Sequence, residues 1–415
     1  MAESDTESSP HQILIVLDLL KQASHSLHSN PTTNPNSIIS ALLSLSSLLS
    51  NDHSHSTLSS LLKSLNQVSS KSDLSSSFGF GMRRGRRRLL EISNLAARIE
   101  AELQSWIDRY SLDALVKSLL GFGAKSKDSV DSVNDSVADS VDSAGDSIGD
   151  SVVVDSSELT RLLTRLRERV DSGGFSRGLQ DAVLRSRVLR ELETVLCDGE
   201  RDVGLREQCG LVIESLVRFN KNVFVAEVRM GKTTRGLIEL NTTESLRIVC
   251  SLIRLIKSPL VDEIEANNGI EMMIELLCSK RVEIRVSAME CVFEIGYFGR
   301  KEAIEAMMGE GLVEKLVELQ RGELGGVLIE MGRCGEGKSE DGGNVAVMSR
   351  EEYLKWRPFA SCVARFAVML EVGEGLRRRE KRAFKLEMLK RVREASISDA
   401  EAATIVAEVL WGSYP

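Results

Sequence analysis

Proline is nearly missing from the middle of this chain: of six in 415 residues, none falls between Pro35 and Pro259. Proline removes a backbone donor and clashes with the preceding helical turn, so its absence leaves that stretch open to helix, which its Leu, Val, Glu and Arg content favours. No uncharged apolar run reaches the roughly 18 residues a membrane span needs; the nearest, residues 38–49, alternates Leu with Ser. The first nine residues hold Glu3, Asp5 and Glu7 but no Lys or Arg, unlike a secretory signal or an Arg-rich transit peptide. Seven cysteines occur without any C-x-x-C pair and mostly inside apolar patterns, so they are read as reduced core thiols of a cytoplasmic or nuclear protein. Aromatic residues make up only 4%, and tryptophan is missing between Trp106 and Trp356.

What is present divides into three regions. Residues 10–123 read as an N-terminal helical bundle; their clearest stripe is Leu89, Ile92, Ala96, Ile99, Leu103, Trp106 and Tyr110, whose alternating steps of three and four keep one helix face apolar. Residues 124–157 read as an acidic, low-complexity Asp-Ser-Val linker. Within it, residues 126–157 hold eight Asp against Lys127, a charge of -7 out of the chain's -8, so the acidity is local.

Residues 158–412 repeat themselves. With Val228, Ile264 and Met307 aligned, Leu216, Leu252 and Ile295 lie twelve positions earlier; Leu237, Met273 and Leu316 lie nine later, and Leu240, Leu276 and Leu319 twelve later. Spacings of this size belong to solenoids of two or three helices per unit, in which no hairpin buries its apolar face alone and stacked units share one core. Small or left-handed-tolerant residues (Asn268-Gly269, Gly311) enter a short helix patterned apolar-x-x-Leu-apolar-x-Leu. This resembles the armadillo repeat, where a Gly turn precedes a core-facing helix. A further unit is expected with Phe359, Val363, Phe366, Ala367 and Leu370 on one helix and Phe384, Leu386 and Leu389 on the next, after a Gly-rich inserted loop at 322–343. The expected fold is all-α, an N-terminal helical bundle followed by an armadillo-like α-solenoid.

The whole arrangement is similar to the plant U-box and armadillo-repeat proteins: helical bundle, middle module, armadillo array. In that family the middle module recruits a ubiquitin-conjugating enzyme. Here that place is taken by the Asp-Ser-Val segment, which has no Pro and no Cys, so the resemblance implies the array and not the ligase. The leading expectation is a non-catalytic protein-protein interaction scaffold without cofactor or metal; the alternative is a ubiquitin-ligase-related adaptor in plant signalling.

Candidate chemistry is sparse. Met230-Gly231-Lys232-Thr233-Thr234 looks like the end of a phosphate-binding loop, but the glycine required five residues before Gly231 is Ala226, and the segment follows a helical pattern. All five histidines lie in the first 55 residues, among Ser and Asn, and read as solvated loop residues. With none in the array, no Ser-His or Cys-His pair can be built there. The basic cluster Arg83, Arg84, Arg86, Arg87 and Arg88, and a second at Arg377, Arg378, Arg379, Lys381 and Arg382, could serve import or peripheral membrane contact. Folded parts without net positive charge and with few aromatics argue against nucleic acid. Ser132, Ser136, Ser143 and Ser147 each precede an Asp by three residues, a pattern for acidic-directed kinases; phosphates there could regulate the linker by pairing with a basic cluster. Helix phase places Glu214, Arg218, Arg247, Ser251, Glu290 and Glu294 on the groove as candidate protein-binding residues. Lacking the Trp ladder that grips extended basic peptides, the groove is expected to take a folded or helical partner.

Overall fold

The computed structural model describes residues 81–124, 156–326 and 349–411, with isolated residues between 60 and 67. Most of the expected N-terminal bundle, the five histidines, the Asp-Ser-Val segment up to 155 and most of the Gly-rich loop lie outside the described residues. Those described form seventeen helices and no strand. They are α1 (Gly81–Ala124), α2 (Ser156–Ser172), α3 (Arg177–Ser186), α4 (Val188–Cys197), α5 (Val203–Phe219) and α6 (Lys221–Met230). Next come α7 (Thr233–Leu240), α8 (Thr243–Ile256), α9 (Ser258–Ala266), α10 (Gly269–Leu276), α11 (Val282–Phe298) and α12 (Lys301–Gly309). The last are α13 (Leu312–Arg321), α14 (Arg350–Trp356), α15 (Cys362–Val372), α16 (Arg378–Ala395) and α17 (Asp399–Trp411).

The chain divides into two compact units, one containing residues 1–116 and 176–186, the other 117–175 and 187–415. In the first, Ile99, Leu103 and Leu112 of α1 and Leu179 and Val183 of α3 are buried, and Gly178 of α3 lies against Ser105. The apolar stripe thus reaches the interior along its middle, whereas Tyr110 at its end is exposed.

The second unit is the repeat array. Helices α6–α7–α8 and α9–α10–α11 are complete three-helix units, preceded by the last two helices of another, α4 and α5, and followed by α12, α13 and α15. Of the twelve aligned apolar positions eleven are buried and Leu276 is half-buried, so the sequence period is the period of the core. The turns are built as their residues dictate. Asn268 and Gly311 both hold positive φ (57° and 74°) immediately before α10 and α13, a conformation that glycine and asparagine accept at least cost. Capping fixes the starts of the longer helices: Asp202 accepts from the Leu205 N–H, and Thr242 and Ser245 cap each other's backbone at the start of α8.

In α16, Phe384, Met388, Leu389 and Val392 form the buried stripe, while Leu386 is 69% exposed. The sequence had placed Leu386 in the core. Two residues on from Phe384 along a helix, it points away from that stripe. Phe359 is buried but precedes α15, in the turn that leads into it.

A buried polar junction ties the last helices together. Glu408 of α17 accepts from Gln320 Nε2 of α13 at 2.9 Å and from Ser361 Oγ at 2.7 Å, while Gln320 Oε1 accepts from the Val363 N–H at 3.3 Å. Mutual satisfaction is what permits a carboxylate to be buried here.

Candidate protein-binding face

The third helices of successive units lie side by side. α5 packs on α8, α8 on α11 and α11 on α15, with α2 added on α5 and α17 on α15. α5, α8 and α11 each keep polar residues outside the core, and the packing of these helices sets them side by side.

Three of the six candidate groove residues join in one chain of hydrogen bonds across α5 and α8. Glu214, largely buried, accepts from Arg218 Nη2, which also donates to Ser251 Oγ at 3.2 Å. Glu294 is occupied as well: Arg254 Nε of α8 donates to it at 2.8 Å, a link between adjacent units. The sequence reading overlooked Arg254, although it lies seven residues after Arg247 on the same helix face. These four predicted positions therefore brace neighbouring units.

Arg247 and Glu290 are placed differently. Both are exposed and line a cleft of ≈ 650 Å³ over α8 and α11, roofed by α14 and the turn that follows it. Its apolar lining includes Val286, Met289, Leu354 and Pro358, and its charges are of both signs, Arg247, Lys355 and Arg365 with Glu283, Glu290 and Glu351. Arg365 is held in place: its Nη1 donates to the Pro358 carbonyl at 2.7 Å and its guanidinium stacks 5.0 Å from the Phe293 ring centre. Burial lowers its pKa from the usual arginine value while Glu290 pulls the other way, and it keeps its charge.

Glu351 and Lys355 carried no signal in the sequence, because α14 belongs to an insertion that interrupts the repeat between α13 and α15; Arg365, on α15, was passed over between the apolar positions Val363 and Phe366. The insertion is closed at its base. Phe359 N–H donates to Leu324 O at 3.2 Å, Ser361 N–H to Gly326 O at 2.8 Å and Arg357 Nη1 to Gly325 O at 3.0 Å. Ser349 and Glu352 cap the start of α14 reciprocally, and Tyr353 is buried.

The Gly231-Lys232 pair forms the turn between α6 and α7. The Lys232 N–H and the Thr233 hydroxyl both donate to the carboxylate of Glu193, and a Cβ on Gly231 would collide with it. The anion that these donors hold is supplied by the protein itself. Among the described residues no group of His, Cys, Asp and Glu could hold a metal ion, and no helix is long and apolar enough to cross a membrane. Arg83 to Arg88 lie in the first turns of α1, with side chains outside the described residues.

No protein-family profile and no curated protein matches the chain. Solved structures do. A designed armadillo repeat protein in complex with a (KR)4 peptide is 16% identical with a TM-score of 0.37, over 63% of this chain and 96% of that one. An engineered protein gives 16% and 0.37 over 63% and 92%, and another gives 15% and 0.40 over 94% and 77%. The chain's own three-helix units define its class, an all-α, armadillo-like solenoid.

Proposed function

We propose that the protein is a non-catalytic interaction scaffold of the cytoplasm or nucleus that holds a protein partner on the face formed by α5, α8, α11 and α15. The cleft over α8 and α11 carries this reading: it is open, apolar at several points, and has three cations set against three anions. Balanced charge suits neither an extended basic peptide nor a nucleic-acid backbone. It suits a folded or helical segment that presents both signs around an apolar contact. No observation favours the ubiquitin-ligase reading, and an autoubiquitination assay is expected to be blank.

The test is charge reversal at the two exposed positions, Arg247→Glu with Glu290→Lys, followed by quantitative affinity capture beside the wild type. Partners held at this cleft are expected to fall by roughly tenfold or more, the loss that one or two interface contacts of about 1.4 kcal/mol each produce. The melting temperature should stay unchanged, since neither side chain is buried. An identical capture profile for both proteins would refute the assignment. Glu294 is unsuited to the test because its loss would also break the bond to Arg254.

A further inference from the structure

The basic residues of α16 take no part in the binding face. Arg378, Lys381, Arg382 and Lys385, at steps of three, one and three, line a cleft of ≈ 390 Å³ together with Ala367, Leu370 and Met388. Glu371 is its one acidic lining residue. Two of the four cations have fixed duties. Lys381 Nζ donates to the carbonyls of Glu371 (2.9 Å) and Gly373 (2.7 Å) at the end of α15, and Lys385 Nζ pairs with the Glu371 carboxylate at 3.0 Å.

Arg378 and Arg382 are exposed, one turn apart, and make no hydrogen bond or ion pair with a described residue. Their position works against the fold. Arg378, in the first turn of α16, opposes the helix dipole at about 0.3–1 kcal/mol, and Arg382, a like charge at i,i+4, repels it. Alongside them, Val372 and Leu386 are 56% and 69% exposed. The patch is therefore basic with apolar edges, and lacks only a counter-charge.

We propose that this cleft receives the chain's own Asp-Ser-Val segment, through residues 128–142. That segment carries Asp128, Asp131, Asp135, Asp139 and Asp142 at steps of three and four, with Val130, Val133, Val137 and Val141 between them, so it offers the counter-charge the cleft lacks and apolar groups to match its apolar edges. Its reach selects this half. From α2, where the segment rejoins the described chain, the row runs through α5, α8, α11 and α15 to α16. Five interhelical steps of 8–10 Å come to about 45 Å. At 3.3–3.6 Å per extended residue that distance takes roughly 14 residues, which brings positions before about 142 to the cleft. Phosphate on Ser132 or Ser136 would add about -1.5 to -2 charges each, in a form that the arginine fork grips in pairs of bonds.

Zero-length carbodiimide coupling of the full-length protein, read by mass spectrometry, tests the docking, because it joins only carboxylates in contact with lysines. The Lys385–Glu371 pair is the internal control. Coupling of Asp128–Asp142 to Lys381 or Lys385 within the monomer is expected. It should drop at least fivefold in the Arg378→Glu, Arg382→Glu double variant and in added salt, and rise after treatment with an acidic-directed kinase. Both arginines are exposed, and an unchanged circular-dichroism melt will show that the variant folds. The proposal is overturned if the control product forms without the Asp products, if the Asp products occur only between two copies, or if the double variant leaves them undiminished.

Discussion

Glu263 shows what a single half-buried carboxylate does to this fold. It lies on α9, and burial pushes its pKa up to about 7; Glu193 adds to the push, while Thr234 and Arg229 pull down. In the unfolded chain the same group titrates near 4.5. Between these values the folded state holds the proton more tightly, so this group's contribution is full below about 4.5 and is lost as pH rises through about 7. Glu263→Gln is therefore expected to melt with the wild type at pH 4 and above it at pH 8, having lost that slope. Parallel melting curves across this range would contradict the assignment. Nothing in the sequence announced this residue, since its environment is assembled from α4, α6, α7 and α9. The i,i+4 pair Glu214–Arg218 was open to inspection because both partners share a helix. Arg254–Glu294 was not, because its partners are 40 residues apart.

At the level of elements, the apolar period was legible because a helix must repeat its core contacts every three or four residues, and stacked units must repeat theirs together. Turn residues were legible for the same local reason, as Asn268 and Gly311 show. The cleft was hidden. Its roof is α14, a short helix that follows no repeat, and only three-dimensional closure sets Glu351 and Lys355 opposite Arg247 and Glu290. The closure depends on described residues at the insertion's two ends. Replacing residues 327–348 by a Gly-Ser sequence of equal length should therefore leave the melting temperature within about 2 °C of the wild type, a change below roughly 1 kcal/mol. A fall of more than about 5 °C would show that the replaced residues support the array.

For the molecule as a whole, stacking means that each unit of the array owes its stability to its neighbours. The central helices are supported from both sides. α5 is flanked by α2 and α8, α8 by α5 and α11, and Gly296 of α11 lets the Phe366 ring approach to where a Cβ would lie 2.7 Å away. Amide hydrogen exchange should accordingly be slowest in α5, α8 and α11 and faster toward α16 and α17. Uniform protection from α5 to α17 would mean that the array opens only as one body.

The closed base of the insertion has a practical corollary. Two backbone stalks pinned a few ångströms apart, beside the opening between α8 and α14, form a ready socket: a fluorescent domain spliced there would stay anchored at both ends. A dye on an engineered surface cysteine nearby would then turn occupancy of that opening into an optical signal, readable in living cells before any occupant has been purified.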